Sequence, residues 1–203
     1  MKLLVTITFL VITIFSCGSY ADKDFNLSQS ERSFLNVFKS GDTLTFKNSN
    51  NEIDKLVVVG LDSSQKKKSG TLMASPAHNF IWVTLKHIQP VIWRTYSQKG
   101  SLVRIDTTIS QELITISKYP QSKEITFSFS FKHFYSPNKN GFGPLHTDTI
   151  KINGFHLTKY YVLSDKNSDT LNMDVSELYW TQNHGLVAYK LYDGTYWCKI
   201  NGR

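Results

Sequence analysis

Lys123–Phe134 reads KEITFSFSFKHF. Ile125, Phe127, Phe129 and Phe131 take every second position, and Thr126, Ser128, Ser130 and Lys132 fill those between. Successive side chains of a strand point to opposite faces, so this alternation predicts a strand with one buried and one wet face. That division is the mark of an antiparallel sheet.

The same period recurs on both sides of this stretch. Upstream, Asp42–Lys47 (DTLTFK) alternates with Leu44 and Phe46 on one side, and the turn Asn48–Asn51 leads into a second strand, Ile53–Val59. Residues 62–70 (DSSQKKKSG) have loop composition. Phe80–Ile88 and Val91–Tyr96 read as strands around Gln89-Pro90, with weaker strand patterns at Leu102–Ile105 and Leu113–Ser117. Downstream, 136–145 (SPNKNGFGPL) predicts a Gly/Pro loop. Asn153-Gly154 suits a type I′ hairpin, because both central residues of that turn need positive φ. It pairs Ile152 with Phe155 and Ile150 with Leu157 on one face, leaving Lys151 and His156 on the other. Asp193-Gly194 predicts a second two-residue turn. That register sets Leu191, Tyr189 and Val187 against Tyr196, Cys198 and Ile200 on a core face, with Lys190, Trp197 and Lys199 opposite. Cys198 is then a small core residue rather than a nucleophile.

One helix is expected. Ser28-Gln29-Ser30-Glu31 is a capping box, Phe34, Leu35 and Phe38 share a helical face, and Gly41 is placed to end a helix over about residues 29–39. The chain has 203 residues with 13 Phe, 10 Tyr and 4 Trp, a composition that favours strands. The predicted fold is mainly β: an antiparallel curled sheet, a barrel or half-barrel, with one N-terminal helix. A two-sheet β-sandwich is the alternative. Closure follows from the need to protect sheet edges.

The N-terminus sets the compartment. Met1–Cys17 (MKLLVTITFLVITIFSC) has one lysine, an apolar run from Leu3 to Phe15, then Ser16-Cys17. This is an export signal, too short for the roughly 20 apolar residues of a membrane span. Two cuts compete. Ile14-Phe15-Ser16-Cys17 reads as a lipobox, with Phe15 bulkier than usual, and would leave Cys17 lipidated. Ser19-Tyr20-Ala21 would be cut before Asp22, discarding Cys17. The lipobox reading divides the chain into a signal peptide (1–16), a lipidated cysteine and tether (17–27) and a single β-rich domain (28–203). Several acyl chains would hold such a product on the membrane. Cys17 and Cys198 are the two cysteines, so losing or lipidating Cys17 leaves no internal disulfide.

Charge and motifs exclude more than they assign. The formal net charge is +7, and Lys66-Lys67-Lys68 is its one run, read as a solvated loop; nucleic acid is not an expected partner. No cofactor-binding or catalytic motif is present. Asp165-Lys166-Asn167-Ser168-Asp169 has the oxygen spacing that opens a calcium loop, but Thr170 replaces the required glycine. The histidines, His78, His87, His133, His146, His156 and His184, show no metal-ligand spacing. Trp82, Trp93, Tyr179 and Trp180 are candidate ligand-cavity residues, against plain core packing. A hydrolase would need a histidine, a carboxylate and a hydroxyl in one cleft, and His146, Asp148 and Ser136 are the nearest in sequence.

The N-terminus ending IFSC resembles the lipoprotein signals of Bacteroidetes-type bacteria. Glu177–Asn201 (ELYWTQNHGLVAYKLYDGTYWCKIN) is similar to the ends of many small lipoproteins from those bacteria. In them a Tyr-Trp strand, a Gly-Leu-Val strand and an aromatic strand after Asp-Gly close a β-domain. The resemblance covers about a quarter of the chain and is structural. It implies membrane anchoring through Cys17 and a β-rich fold, and supplies no activity. The expectation is a lipid-anchored envelope protein on the outer membrane whose β-domain binds a ligand, a glycan or a protein partner. The alternative is a secreted structural or interaction protein.

Overall fold

The computed structural model describes residues 27–66, 78–88, 91–97, 100–106, 110–118, 125–139, 142–152, 154–166 and 174–200. The expected signal peptide, Cys17 and nearly all of the tether lie outside them, as do Lys67 and Lys68 and the middle of the calcium-like stretch. Among the described residues one helix, α1 (Gln29–Ser33), precedes the strands. These are β1 (Thr43–Lys47), β2 (Ile53–Lys66), β3 (His78–His87), β4 (Val91–Ser97), β5 (Gly100–Asp106), β6 (Ser110–Lys118) and β7 (Ile125–Phe131). They continue with β8 (Phe134–Lys139), β9 (Ile150–Ile152), β10 (Phe155–Leu157), β11 (Tyr160–Ser164), β12 (Val175–Thr181), β13 (Gly185–Leu191) and β14 (Tyr196–Lys199).

Ten strands form one antiparallel sheet in the order β11-β12-β13-β14-β1-β2-β3-β6-β7-β8; β9-β10 and β4-β5 are separate hairpins. The sheet curls until its two edges nearly meet. Lys166 N–H, just after β11, donates to Tyr135 C=O of β8 at 2.9 Å, and Tyr135 N–H donates to Asp165 Oδ1 at 2.9 Å. The barrel expectation holds, and the sandwich is set aside. Asp165 Oδ2 also accepts from Tyr192 O–H at 3.2 Å, so the acid that would open a calcium loop fastens the seam instead.

β7 behaves as its alternation requires. Phe127, Phe129 and Phe131 are buried, while Thr126, Ser128 and Ser130 are partly exposed. The interior combines aliphatic side chains such as Leu56, Val83 and Ile116 with many aromatic rings. Phe129 meets Trp180 edge-on at 5.7 Å between centroids, and Phe131 meets Tyr189 at 5.1 Å. Such contacts add about 0.5–1.5 kcal/mol each beyond area burial.

Three expectations about element bounds need correction. The helix is five residues long, not eleven. Its capping box is present, with Glu31 N–H donating to Ser28 Oγ and Ser28 N–H to Glu31 Oε2. After Ser33 the chain tightens into turns, with Leu35 N–H bonding Arg32 C=O and Phe38 N–H bonding Leu35 C=O. This tighter winding sends Leu35 and Phe38 into the barrel end, where burial outweighs continued helix. Second, the expected loop at 62–70 begins later, because β2 runs on to Lys66 paired with His78 of β3. Third, the expected loop from Ser136 begins with a strand. β8 includes Pro137, which is tolerated because β8 is an edge strand.

The two predicted hairpins fared differently. β9-β10 has the expected register, Ile152↔Phe155 and Ile150↔Leu157, with Lys151 and His156 exposed. The C-terminal hairpin is displaced by one residue: Ala188 pairs with Cys198, Tyr189 with Trp197 and Lys190 with Tyr196. Leu191 N–H bonds Thr195 C=O at 2.9 Å, and Gly194 takes φ +90°. A three-residue loop with glycine in the left-handed region replaces the two-residue turn. The shift exchanges the faces. Trp197 turns toward the main core and stacks on Tyr189 at 5.8 Å and 9°. Cys198 is buried as expected, but in a second, outer cluster with Ile152, Tyr160, Tyr179 and Ala188, beneath the β9-β10 hairpin.

Candidate functional site

The two ends of the barrel are built from different chemistry. At one end, α1 and the turns after it are the plug. Phe34 stacks on Phe142 at 4.2 Å, and Phe38 packs on Trp180 at 5.6 Å. Glu31 pairs with Lys118 Nζ at 3.1 Å, and Gln182 Nε2 donates to Ser33 Oγ at 3.2 Å. Gly185, at φ +67°, has no room for a side chain: an added Cβ would stand 2.6 Å from the Phe38 ring.

At the other end lies a buried polar network. Asp54 Oδ2 accepts from Tyr189 O–H at 2.6 Å and pairs with Lys132 Nζ at 3.0 Å. The Lys132 ammonium also sits 4.8 Å from the Tyr189 ring centroid. Gln111 holds the turn that carries Lys132: its Oε1 accepts from Lys132 N–H at 2.8 Å, and its Nε2 donates to Lys132 C=O at 3.1 Å. Lys132 has φ +53°, an uncommon conformation for a side-chain-bearing residue. His87 Nε2 lies 3.4 Å from Gln111 Oε1. Burial alone would raise the Asp54 carboxyl, but Lys132 and the hydrogen bonds from Tyr189 and Lys132 outweigh it and hold it below its usual 3.8. Burial, and then Lys132, pushes the His87 imidazole below its usual 6.5. Burial pushes the Tyr189 phenol well up, with Asp54 adding to it. Asp54 and Tyr189 are 4% and 0% exposed, too deep to meet a substrate, so the network acts as a polar seal.

A cleft of about 370 Å³ opens on the outside of the barrel. Leu157, Thr158 and Lys159, at the end of the outer hairpin and the step into β11, form one wall, with His156 beside them. Thr181, Gln182, Asn183 and His184 of the β12–β13 turn form the opposite wall, with Leu145, Tyr161 and Val187 completing the lining. The turn is fixed locally by His184 N–H donating to Thr181 Oγ1 at 3.2 Å. Lys159 holds φ +54° at the rim. The lining mixes apolar contact surface with amide, hydroxyl, imidazole and ammonium groups, which is the character of a small-molecule site.

The sequence candidates do not converge on this cleft. Trp180 is fully buried in the barrel core, and Tyr179, its neighbour, lies in the outer cluster with its O–H on Glu177 Oε2 at 2.6 Å. Trp82 is half-buried on β3, between the inward Ile81 and Val83. Trp93 lies on β4, and its side chain is outside the described residues. Ser136 is buried on β8 with the Asn138 amide on its hydroxyl, while His146 contacts Asp148 at 4.0 Å and stacks on Tyr160; no hydrogen bond links Ser136 to His146. Burial pushes the Cys198 thiol up to about 11, away from nucleophile character. Among the described residues no cluster of three His, Cys, Asp or Glu could hold a metal. No helix of the described residues is long and apolar enough to cross a membrane.

Sequence reasoning missed both the cleft and the polar network. His156 and His184 are 28 positions apart in a chain whose hairpins alone bring them together, so no spacing pattern could mark them. No family model, curated protein or solved structure matches the chain.

Proposed function

We propose that this chain is an exported envelope protein, held on the outer membrane by lipid on Cys17, whose barrel binds a ligand at the external cleft. The observation that carries the binding reading is the filled interior. Phe46, Phe129, Phe131, Phe134, Trp180 and Tyr189 are each under 2% exposed, so recognition falls to the outer surface. There the cleft gathers amide, hydroxyl and imidazole groups around a partly apolar floor. The anchoring reading rests on Cys17 standing where the apolar run of the leader ends.

Two experiments test the two halves. Intact-mass measurement of the protein purified from membranes, beside a Cys17→Ser variant, reads the anchor. Added acyl mass that disappears in the variant supports it; a mature N-terminus at Asp22 replaces anchoring with secretion. An oligosaccharide array probed with the wild-type protein and with His184→Ala reads the cleft. Binding lost in the variant is the expected result, and binding indifferent to His184 refutes the cleft as the site.

A further inference from the structure

The cleft has a sign. Lys159, His156 and His184 line it, and among the described residues no aspartate or glutamate does. Lys159 and His156 take part in no ion pair among the described residues. A further cation, Lys199, stands behind the wall, with its ammonium donating to the His184 carbonyl at 3.3 Å. A neutral imidazole still presents one N–H donor, so each histidine can donate to an anion through the ring nitrogen that carries the proton. Lys159 adds a second indication. It sits at φ +54°, where glycine would be accommodated more easily, so the position carries a charged side chain at a backbone cost.

The neutral groups distinguish a sugar from a bare ion. Gln182 Nε2 is engaged by Ser33 Oγ at 3.2 Å, which leaves its carbonyl oxygen as an acceptor. Asn183 offers both donor and acceptor. A sulfate ion has no donor to offer an acceptor and a phosphate ion has only one or two P–OH groups, whereas a sugar presents several hydroxyls that both donate and accept. At about 370 Å³ the space also exceeds the needs of a lone ion and falls within the usual range of small-molecule pockets.

We propose that the cleft takes an anionic sugar, a carboxylate-bearing residue of an oligosaccharide, with Lys159 as its main charge partner and His156 and His184 as flanking donors. This rests on the cleft being the binding surface and adds the class of ligand. Calorimetry and amide chemical-shift mapping on the mature protein would use three probes: tri-galacturonic acid, the neutral galactose trisaccharide and inorganic phosphate. The acidic trisaccharide is expected to saturate and to shift the amides of residues 156–159 and 181–184, with the neutral sugar at least tenfold weaker. Lys159→Gly, which relieves the backbone and so should fold, is expected to weaken the acidic sugar at least fivefold and leave the neutral one unchanged. Phosphate binding as tightly as the acidic sugar overturns the sugar assignment. Equal binding of neutral and acidic sugars at the cleft overturns the charge assignment but keeps the binding surface. No shifts at the cleft with any probe overturn both.

Discussion

The two ends of the barrel solve one problem in opposite ways. Both must close an opening left by curling a sheet. The end near α1 is closed by apolar bulk, with Leu35 and Phe38 inserted and Phe34 stacked on Phe142. The other end is closed by a charged pair, a phenol, an amide and an imidazole, all drawn from different strands or turns. Apolar closure tolerates small changes of shape, because any close-packed filling excludes water. Polar closure depends on partners: each buried charge is stable only while its counterpart is present. Among the described residues three buried nitrogens lack hydrogen-bond partners: His87 Nδ1, Trp197 Nε1, and Trp180 Nε1, whose ring packs on Phe38. Each such group costs about 1–3 kcal/mol. The polar end should therefore be the more fragile of the two to single substitutions, and its His87 and Asp54 tie it to pH.

The largest effects come from removing what each end needs most. Lys132→Met strands the buried Asp54 carboxylate and should cost about 3–5 kcal/mol in urea denaturation. Pairing it with Asp54→Leu should recover part of that loss, since an apolar replacement of a buried pair is often neutral. Failure of the double variant to improve on the single would break the contrast between the ends. At the apolar end, Gly185→Ala adds a Cβ 2.6 Å from the Phe38 ring at a residue with φ +67°. Overpacking of about 1–3 kcal/mol and left-handed strain of about 1–2 kcal/mol combine there. Gly185→Ala with Phe38→Leu should be milder, because the nearest obstruction is the Phe38 ring, with Val37 Cγ2 next at 3.0 Å. Tyr189→Phe removes the hydrogen bond donated to the Asp54 carboxylate and the one accepted from Lys132 Nζ at 3.2 Å, and should cost about 1.5–3 kcal/mol.

The smallest effect is the pH response. His87 has its pKa lowered in the folded state by burial and by Lys132. The unfolded chain therefore binds the extra proton first as pH falls, so stability is full above about 6.5 and declines below it. The contribution cannot exceed about 1.4 kcal/mol per pH unit. Asp54, lowered below 3.8, adds stability that is lost only in stronger acid. Urea midpoints measured at pH 5 and 7 should differ less in His87→Phe than in the wild type. An unchanged difference would remove His87 as the source.

What could be read from the chain divides along the same line. The apolar faces were legible, because period-two patterning at Phe127, Phe129 and Phe131 and the Asn-Gly turn are local signals. The capping box at Ser28 was legible for the same reason, though its helix was overextended once burial of Leu35 and Phe38 took over the winding. The C-terminal register was missed because Asp193-Gly194 serves two loop lengths with Gly194 left-handed in both; Asp193, which does not take the positive φ of a type I′ turn, and the Leu191 N–H to Thr195 C=O bond decide between them. The polar network was hidden. Asp54, His87, Gln111, Lys132 and Tyr189 meet only through strand order, and alternation had placed Lys132 on the wet face until its positive φ turned it over the barrel mouth. The cleft was hidden likewise, since a hairpin outside the main sheet supplies one of its walls.

The central claim is that the barrel is solid and recognition lies on its outside. Titration of the native protein with N-phenyl-1-naphthylamine, a neutral apolar fluorophore, tests it most directly. A filled interior predicts no saturable fluorescence gain below the denaturation midpoint in urea. Saturable micromolar binding that a fatty acid displaces would contradict it and return the ligand to the barrel interior.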